Sequence, residues 1–150
     1  MNMTVSKTIA APVEKVFAAM ADIPNAPSRI PAILKIEMLT PGPVGVGTMF
    51  KETRKMFGKE ATETMEFTAF EPNQRYVLSA DSCGGVHFDT EILFKTEGTG
   101  TRVEMNVNAE AKTFASRVMG TLMGWMMKGM MKKCLIADLD GIKKSLTTPV

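Results

Sequence analysis

Residues 101–109 read TRVEMNVNA, and from Arg102 onward polar and apolar side chains alternate without a break. Successive side chains of a β-strand point to opposite faces of the sheet. The run therefore predicts a strand with one face toward an apolar interior and the other toward water. The expected inner set is Val103, Met105, Val107 and Ala109, and the expected outer set is Arg102, Glu104, Asn106, Asn108 and Glu110.

Four more strands precede this one at short intervals. Turn-forming residues break the chain after each of them, which is typical of an antiparallel meander. The predicted strands span 48–56, 60–70, 75–81 and 86–95. The same alternation places Met65 and Phe67 inside on the second of these, and Phe88, Thr90, Ile92 and Phe94 inside on the fourth.

Helices are predicted at both ends of the meander. A first strand at 4–9 is followed by a helix at about 12–21, a short second helix that ends near Pro31, and a strand at 33–39. After Lys112 the turn signals stop, and 113–146 is expected to form one long helix with Thr113 as its N-cap. The fold class is therefore α+β, with about seven antiparallel strands and a long C-terminal helix.

Composition excludes several function classes. The 150 residues carry 18 Lys and Arg against 16 Asp and Glu, scattered along the chain, so no nucleic-acid partner is expected. One His and two distant cysteines, Cys83 and Cys134, predict no metal site and no disulfide framework. The Gly-rich run 42–47 lacks the Lys-Ser or Lys-Thr of a phosphate loop, and no cofactor is expected. Without an apolar leader, the chain is expected to be cytoplasmic.

Several short motifs carry a family resemblance. They are APVEKVF at 11–17, GVGT at 45–48, FEPNQR at 70–75, GTRV at 100–103 and DLDGIK at 138–143. In this order the chain resembles the helix-grip fold of the START-like (SRPBCC) superfamily, in its polyketide cyclase/dehydratase-like branch. The resemblance implies one ligand-binding domain over 1–150, in which the curved sheet and the final helix enclose an apolar cavity. One departure is NAPS at 25–28, where many members carry an aromatic residue.

The expected cavity lining combines the inner strand faces with the last helix. The predicted ligand-binding residues are Phe50, Glu52, Arg54, Met65, Phe67, Tyr76, Phe88, Thr90, Ile92, Val103, Met105, Val107, Val118, Leu122 and Trp125. Glu52 and Arg54 share the face of Phe50, where they either anchor a ligand head group or form a rim ion pair, or a bulge turns both outward. Tyr76 either donates to a ligand carbonyl or is a core tyrosine with a satisfied hydroxyl. His87 lies on the expected outer face, and it is either a general base together with Asp89 or a solvated or hydrogen-bonded histidine.

The run 118–131 of the long helix has only one charge in 14 residues. It is shorter than the roughly 20 residues that span a bilayer. Three interpretations stay open: contact with a second protomer in a homodimer, a cavity wall with exposed methionines, or peripheral contact with a membrane through Lys128, Lys132 and Lys133.

Three functions follow from these observations. The first is binding or transport of a hydrophobic small molecule or lipid. The second is a polyketide cyclase/dehydratase-like enzyme, in which the catalytic candidates Glu52, Arg54 and Tyr76 act on a bound ketone. The third is a membrane- or partner-binding protein that uses the Met-rich helix.

Overall fold

The computed structural model describes residues 2–56, 58–82 and 85–147. In chain order its elements are β1 (Asn2–Ile9), α1 (Val13–Ala21), a 3₁₀ turn (Ile23–Asn25), α2 (Ala26–Arg29), β2 (Ile33–Met38), β3 (Met49–Met56), β4 (Lys59–Glu71), β5 (Arg75–Ser82), β6 (Val86–Glu97), β7 (Gly100–Ala111) and α3 (Phe114–Thr147). The predicted element order is confirmed, with bounds that differ by one or two residues. Cys83 lies outside the described residues, and Cys134 is a half-buried free thiol.

All seven strands form one antiparallel sheet in the order β1-β7-β6-β5-β4-β3-β2. The sheet curves around α3, so the predicted helix-grip architecture is confirmed. Strands β2 to β7 follow one another as neighbours, and β1 closes the far edge against β7. Thr113 caps α3 as expected, because its hydroxyl oxygen accepts the backbone N–H of Ser116 at 3.1 Å.

Strand β7 buries the face that its sequence pattern predicts. Val103, Met105, Val107 and Ala109 are each less than 9% exposed. Residues between them, such as Arg102 and Asn108, are open to solvent. The buried faces of β4 to β6 meet α1 in an aromatic cluster with ring centroids 4.9 to 6.0 Å apart, formed by Phe17, Phe67, Phe70, Tyr76 and Phe94.

The C-terminal half of α3 contacts β1 and the connection between α2 and β2. Lys7 of β1 forms an ion pair with Asp140. At Gly141 the helix comes so close to the connection between α2 and β2 that a Cβ atom would lie 2.5 Å from the carbonyl oxygen of Arg29 and 3.3 Å from Pro31. Only glycine allows this approach, which is one of the contacts that fix the position of α3.

Candidate functional site

A pocket of about 320 Å³ lies between the concave face of the sheet and the C-terminal half of α3. The segment from α1 to β2 covers one side of it. Ten of the side chains predicted as ligand-binding line this pocket, namely Phe50, Glu52, Arg54, Met65, Tyr76, Phe88, Thr90, Ile92, Met105 and Val107. Each of the strands β3 to β7 contributes at least one of them, so the curvature of the sheet brings them together.

Three predicted residues lie elsewhere. Phe67 and Val103 do not line the pocket, because they are completely buried in the core. Val118 is 39% exposed on the N-terminal half of α3 and also does not line it. The expectation for these three is therefore corrected. The side chains of Leu122 and Trp125 are not among those described.

The helix wall of the pocket comes from a part of α3 that the sequence interpretation did not include. Its residues recur at helical spacing and are Met131, Leu135, Asp138, Leu139 and Ile142. The sequence pattern could have identified Asp138, because its carboxylate lies within an apolar helical stripe. The remaining missed residues are Met20, Ile23, Ala26 and Ile30 from the N-terminal segment, Ile33 and Ile36 from β2, Ala61 and Glu63 from β4, and Leu78 and Ala80 from β5.

A buried ion-pair network occupies one end of the pocket. The Arg54 guanidinium donates to Glu52 Oε1 at 2.9 Å and to Asp138 Oδ2 at 3.0 Å. The side chains of Arg54, Glu52 and Asp138 are only 16%, 7% and 9% exposed. Glu52 and Arg54 therefore point inward, and the alternative that a bulge turns both outward is wrong. The network also joins β3 to α3 across the pocket.

The charges of the network hold each other in place. Burial alone would lower the pKa of Arg54, but the carboxylates of Glu52 and Asp138 more than offset this, and its pKa is raised. Burial raises the pKa of Asp138, and Arg54 opposes that shift. A buried charge is tolerated when it is paired and hydrogen-bonded, as these are.

Glu63 is a fourth ionisable side chain at the same end of the pocket. It lies on β4 directly opposite Glu52 of β3 in the strand register. Burial raises the pKa of Glu63, and the negative charge of Glu52 raises it further, while the positive charge of Arg54 opposes both. Within the described ranges its carboxyl group takes part in no hydrogen bond or ion pair. The alternation of β4 could have revealed Glu63, since it shares the inner face of Met65.

Tyr76 lines the pocket and is itself buried, with 3% of its surface exposed. Its hydroxyl group donates to the backbone oxygen of Met20 at 3.4 Å. Burial raises the pKa of this phenol. The group is therefore a neutral donor that already has a partner, although the bond is long for a hydroxyl donor.

His87 lies on the outer face of the sheet, as its strand position predicts. Its ring nitrogens contact Asp81 at 2.7 Å and Asp89 at 3.2 Å, and Ser79 donates to Asp89 at 2.5 Å. The hydrogen bond to Asp81 raises the pKa of His87, as does the negative charge of Asp89. His87 is thus hydrogen-bonded on the far side of the sheet from the pocket and cannot serve as a base inside it.

The described part of the chain holds neither a metal-ligand cluster nor a membrane-spanning helix. Over residues 2–56, 58–82 and 85–147, His, Cys, Asp and Glu side chains form no group of three that could hold a metal ion. Among the helices of the same ranges, none combines the length and apolar character needed to cross a membrane.

Comparison with known proteins agrees with this geometry. No curated protein matches the chain. TTHA0849 from Thermus thermophilus is 18% identical with a TM-score of 0.81, over 99% of this chain and 100% of that one. The Zhui aromatase/cyclase from Streptomyces sp. R1128 is 16% identical with a TM-score of 0.81, over 97% and 92%. A START superfamily protein from Mycobacterium smegmatis is 15% identical with a TM-score of 0.77, over 97% and 99%.

These likenesses to solved structures show the fold alone. The family is shown by a model described as polyketide cyclase / dehydrase and lipid transport, which matches residues 1–140. Since this match covers nearly the whole chain, the protein belongs to the polyketide cyclase / dehydrase and lipid transport family, with a START-like fold.

Proposed function

We propose that this protein binds a hydrophobic small molecule or lipid in the pocket between the sheet and α3. The observation that carries the proposal is the pocket itself, about 320 Å³ in volume and lined mainly by apolar side chains around a few polar groups. Sites for small organic ligands have this composition and lie between about 300 and 1,000 Å³. Ala26 adds to the space, because it presents only a methyl group in the segment where the resemblance expects an aromatic residue.

Binding is favoured over catalysis because the two candidate donors of the pocket, Arg54 and Tyr76, already have partners. Polarising a ketone needs a donor that is directed at the carbonyl oxygen. Arg54 is held by Glu52 and Asp138, and the Tyr76 hydroxyl is directed to the backbone of Met20. A carrier needs no such donor, since burial of apolar surface supplies its affinity.

A tryptophan at the pocket entrance tests this proposal. Ala61 lines the pocket but is itself exposed, so Ala61→Trp obstructs the entrance with little cost to folding. The matched control is Thr62→Trp, which adds the same ring to the outer face of the same strand. With the neutral apolar dye Nile red as probe, we expect Ala61→Trp to weaken binding by about tenfold or more, which corresponds to ~1.4 kcal/mol.

The control decides how the dye result is interpreted. We expect Thr62→Trp to bind Nile red as the parent protein does. Equal binding by the parent and both variants would place the dye outside the pocket and reject the proposal. Native mass spectrometry of the purified parent protein should in addition show a co-purified small molecule that Ala61→Trp lacks.

A second candidate function is contact with an anionic membrane surface through the N-terminal half of α3. Large apolar side chains are exposed there, and they are Phe114, Val118, Met126 and Met130. The cations around them are also exposed, and they are Arg117, Lys128, Lys132 and Lys133. No Asp or Glu occurs in residues 111–137. Helices that lie on anionic lipid typically expose apolar side chains together with basic residues and few acidic ones.

Co-sedimentation with vesicles tests this second candidate. We expect the protein to sediment with phosphatidylserine vesicles at low salt, to be released at high salt, and to ignore phosphatidylcholine vesicles. The double variant Met126→Ser, Met130→Ser should bind several-fold more weakly. A different result would assign this surface to a second copy of the chain. In that case the parent protein would form a dimer and bind no vesicles, and the double variant would dissociate the dimer.

A further inference from the structure

The polar end of the pocket contains more negative than positive groups. Among the described residues that line it, Arg54 is the only cation, whereas Glu52, Glu63 and Asp138 all carry carboxyl groups. Arg54 is bonded to two of these carboxyl groups at 2.9 and 3.0 Å. Its positive charge is therefore already compensated and does not attract an anionic head group.

Glu63 is the carboxyl group at this end of the pocket that is not bonded to Arg54. The register places it directly across from Glu52, and both side chains face the pocket. Like charges at directly opposite positions of neighbouring strands repel each other. Glu63 is half-buried, and within the part of the chain that the structure describes it forms no ion pair of its own. Arg54 attracts Glu63 electrostatically but forms its ion pairs with Glu52 and Asp138, so a further positive charge beside Glu63 would be stabilised.

We infer that the pocket selects a cationic amphiphile, whose apolar body lies against the sheet and α3 and whose protonated amine lies between Glu63 and Glu52. This inference rests on the proposed binding function and adds the charge of the ligand. An amine donates hydrogen bonds to both carboxylates and removes their repulsion, because charge-assisted hydrogen bonds are stronger than neutral ones. An alcohol donates without removing the repulsion, and a carboxylate would add a further negative charge.

The field of the whole protein would favour the opposite preference. The chain has a formal net charge of +2, so long-range attraction favours an anion over a cation. A preference for an amine must therefore come from groups inside the pocket. This contrast makes the head-group charge a sensitive probe of Glu63.

Displacement of bound Nile red by three decyl compounds tests the inference. Decylamine, decanol and decanoate share the same apolar chain and differ in head-group charge. At about neutral pH and physiological salt we expect decylamine to bind tightest and to exceed decanoate by about tenfold or more. Glu63→Gln should reduce this ratio by about fivefold, and the variant should fold because it removes a repulsion.

The matched control is Glu60→Gln, which removes the same charge from an exposed position on the same strand. We expect it to leave the ratio unchanged. The inference would be overturned if decanol or decanoate bound at least as tightly as decylamine. The binding function would still stand in that case if Ala61→Trp blocked all three compounds. An equal reduction by Glu60→Gln would also overturn it. Failure of Ala61→Trp to affect any of them rejects the binding function, and the charge preference with it.

Discussion

Replacing Arg54 by methionine removes the only cation of the ion-pair network and leaves its carboxylates in place. Methionine preserves most of the volume of the side chain, so the change is mainly electrostatic. Arg54 bonds to Glu52 and to Asp138, which lie on different elements of the fold. The variant therefore leaves two carboxylates that are less than a tenth exposed without a partner.

The size of the effect follows from the burial of the network. Breaking a buried ion pair by removing one partner costs about 3–5 kcal/mol, because an uncompensated charge remains. For the 150 residues of this chain, an unfolding entropy of about 2.1 cal/mol/K per residue makes each kcal/mol worth about 3 °C in Tm. We therefore expect Arg54→Met to lower Tm by about 10–16 °C near neutral pH.

Thermal melts followed by circular dichroism measure this effect at about pH 5 and about pH 7. The deficit should be smaller at the lower pH, because burial raises the pKa of Asp138 and a protonated carboxyl no longer needs the cation. The matched control Lys55→Met removes a positive charge from an exposed neighbour on the same strand and should shift Tm by little. Adding Glu52→Gln and Asp138→Asn to Arg54→Met should restore most of the loss.

A drop in Tm no larger than that of Lys55→Met would refute the argument that the network is buried and coupled. The same conclusion would follow if the deficit were equal at both pH values, because the remaining carboxylates would then not be the cause of the instability.

Three further predictions concern other parts of the fold. Burial is the main cause that raises the pKa of Glu63 in the folded state, so the contribution of Glu63 to stability falls as pH rises through the folded pKa. Glu63→Gln should flatten this pH dependence. At pH values above the folded pKa, the variant should be more stable than the parent protein by about 0.5–1 kcal/mol. A gain equally large at low pH would contradict this. Because Asp81 raises the pKa of His87, the stability that His87 contributes is present below the unfolded pKa and is lost as pH rises through the folded pKa. The chain has one histidine, so a proton NMR titration can follow it directly, and Asp81→Asn should lower its titration midpoint. An unchanged midpoint would disprove the contact. Gly141→Ala should destabilise by about 1–3 kcal/mol in urea unfolding, since its Cβ would meet the Arg29 carbonyl, and unchanged or greater stability would show that the helix can move away.

Local periodicity was sufficient to predict the elements and their faces. The alternation in β7 identified its buried side, and the same rule placed Glu52 and Arg54 beside Phe50 on the inner face of β3. Turn residues between the strands indicated an antiparallel order, which the sheet has. These features depend on neighbours along the chain, so they can be read without knowledge of the rest of the fold.

What periodicity did not predict is which inner faces border the pocket and which fill the core. Phe67 and Val103 face inward as expected, yet they pack among other side chains, whereas Leu135 and Ile142 border the open space. The position of the crossing between α3 and the sheet decides this, and Gly141 is one of the contacts that set it.

The order of the amino acids was thus enough to predict the strands, their turns, the terminal helix and the side to which most side chains point. The folded arrangement was needed to establish that Asp138 meets Arg54, 84 positions earlier, and that Glu63 stands opposite Glu52. The difference arises because a repeat of two or 3.6 residues orients a side chain about its own element. Strand register and helix position instead result from packing between elements that are distant along the chain.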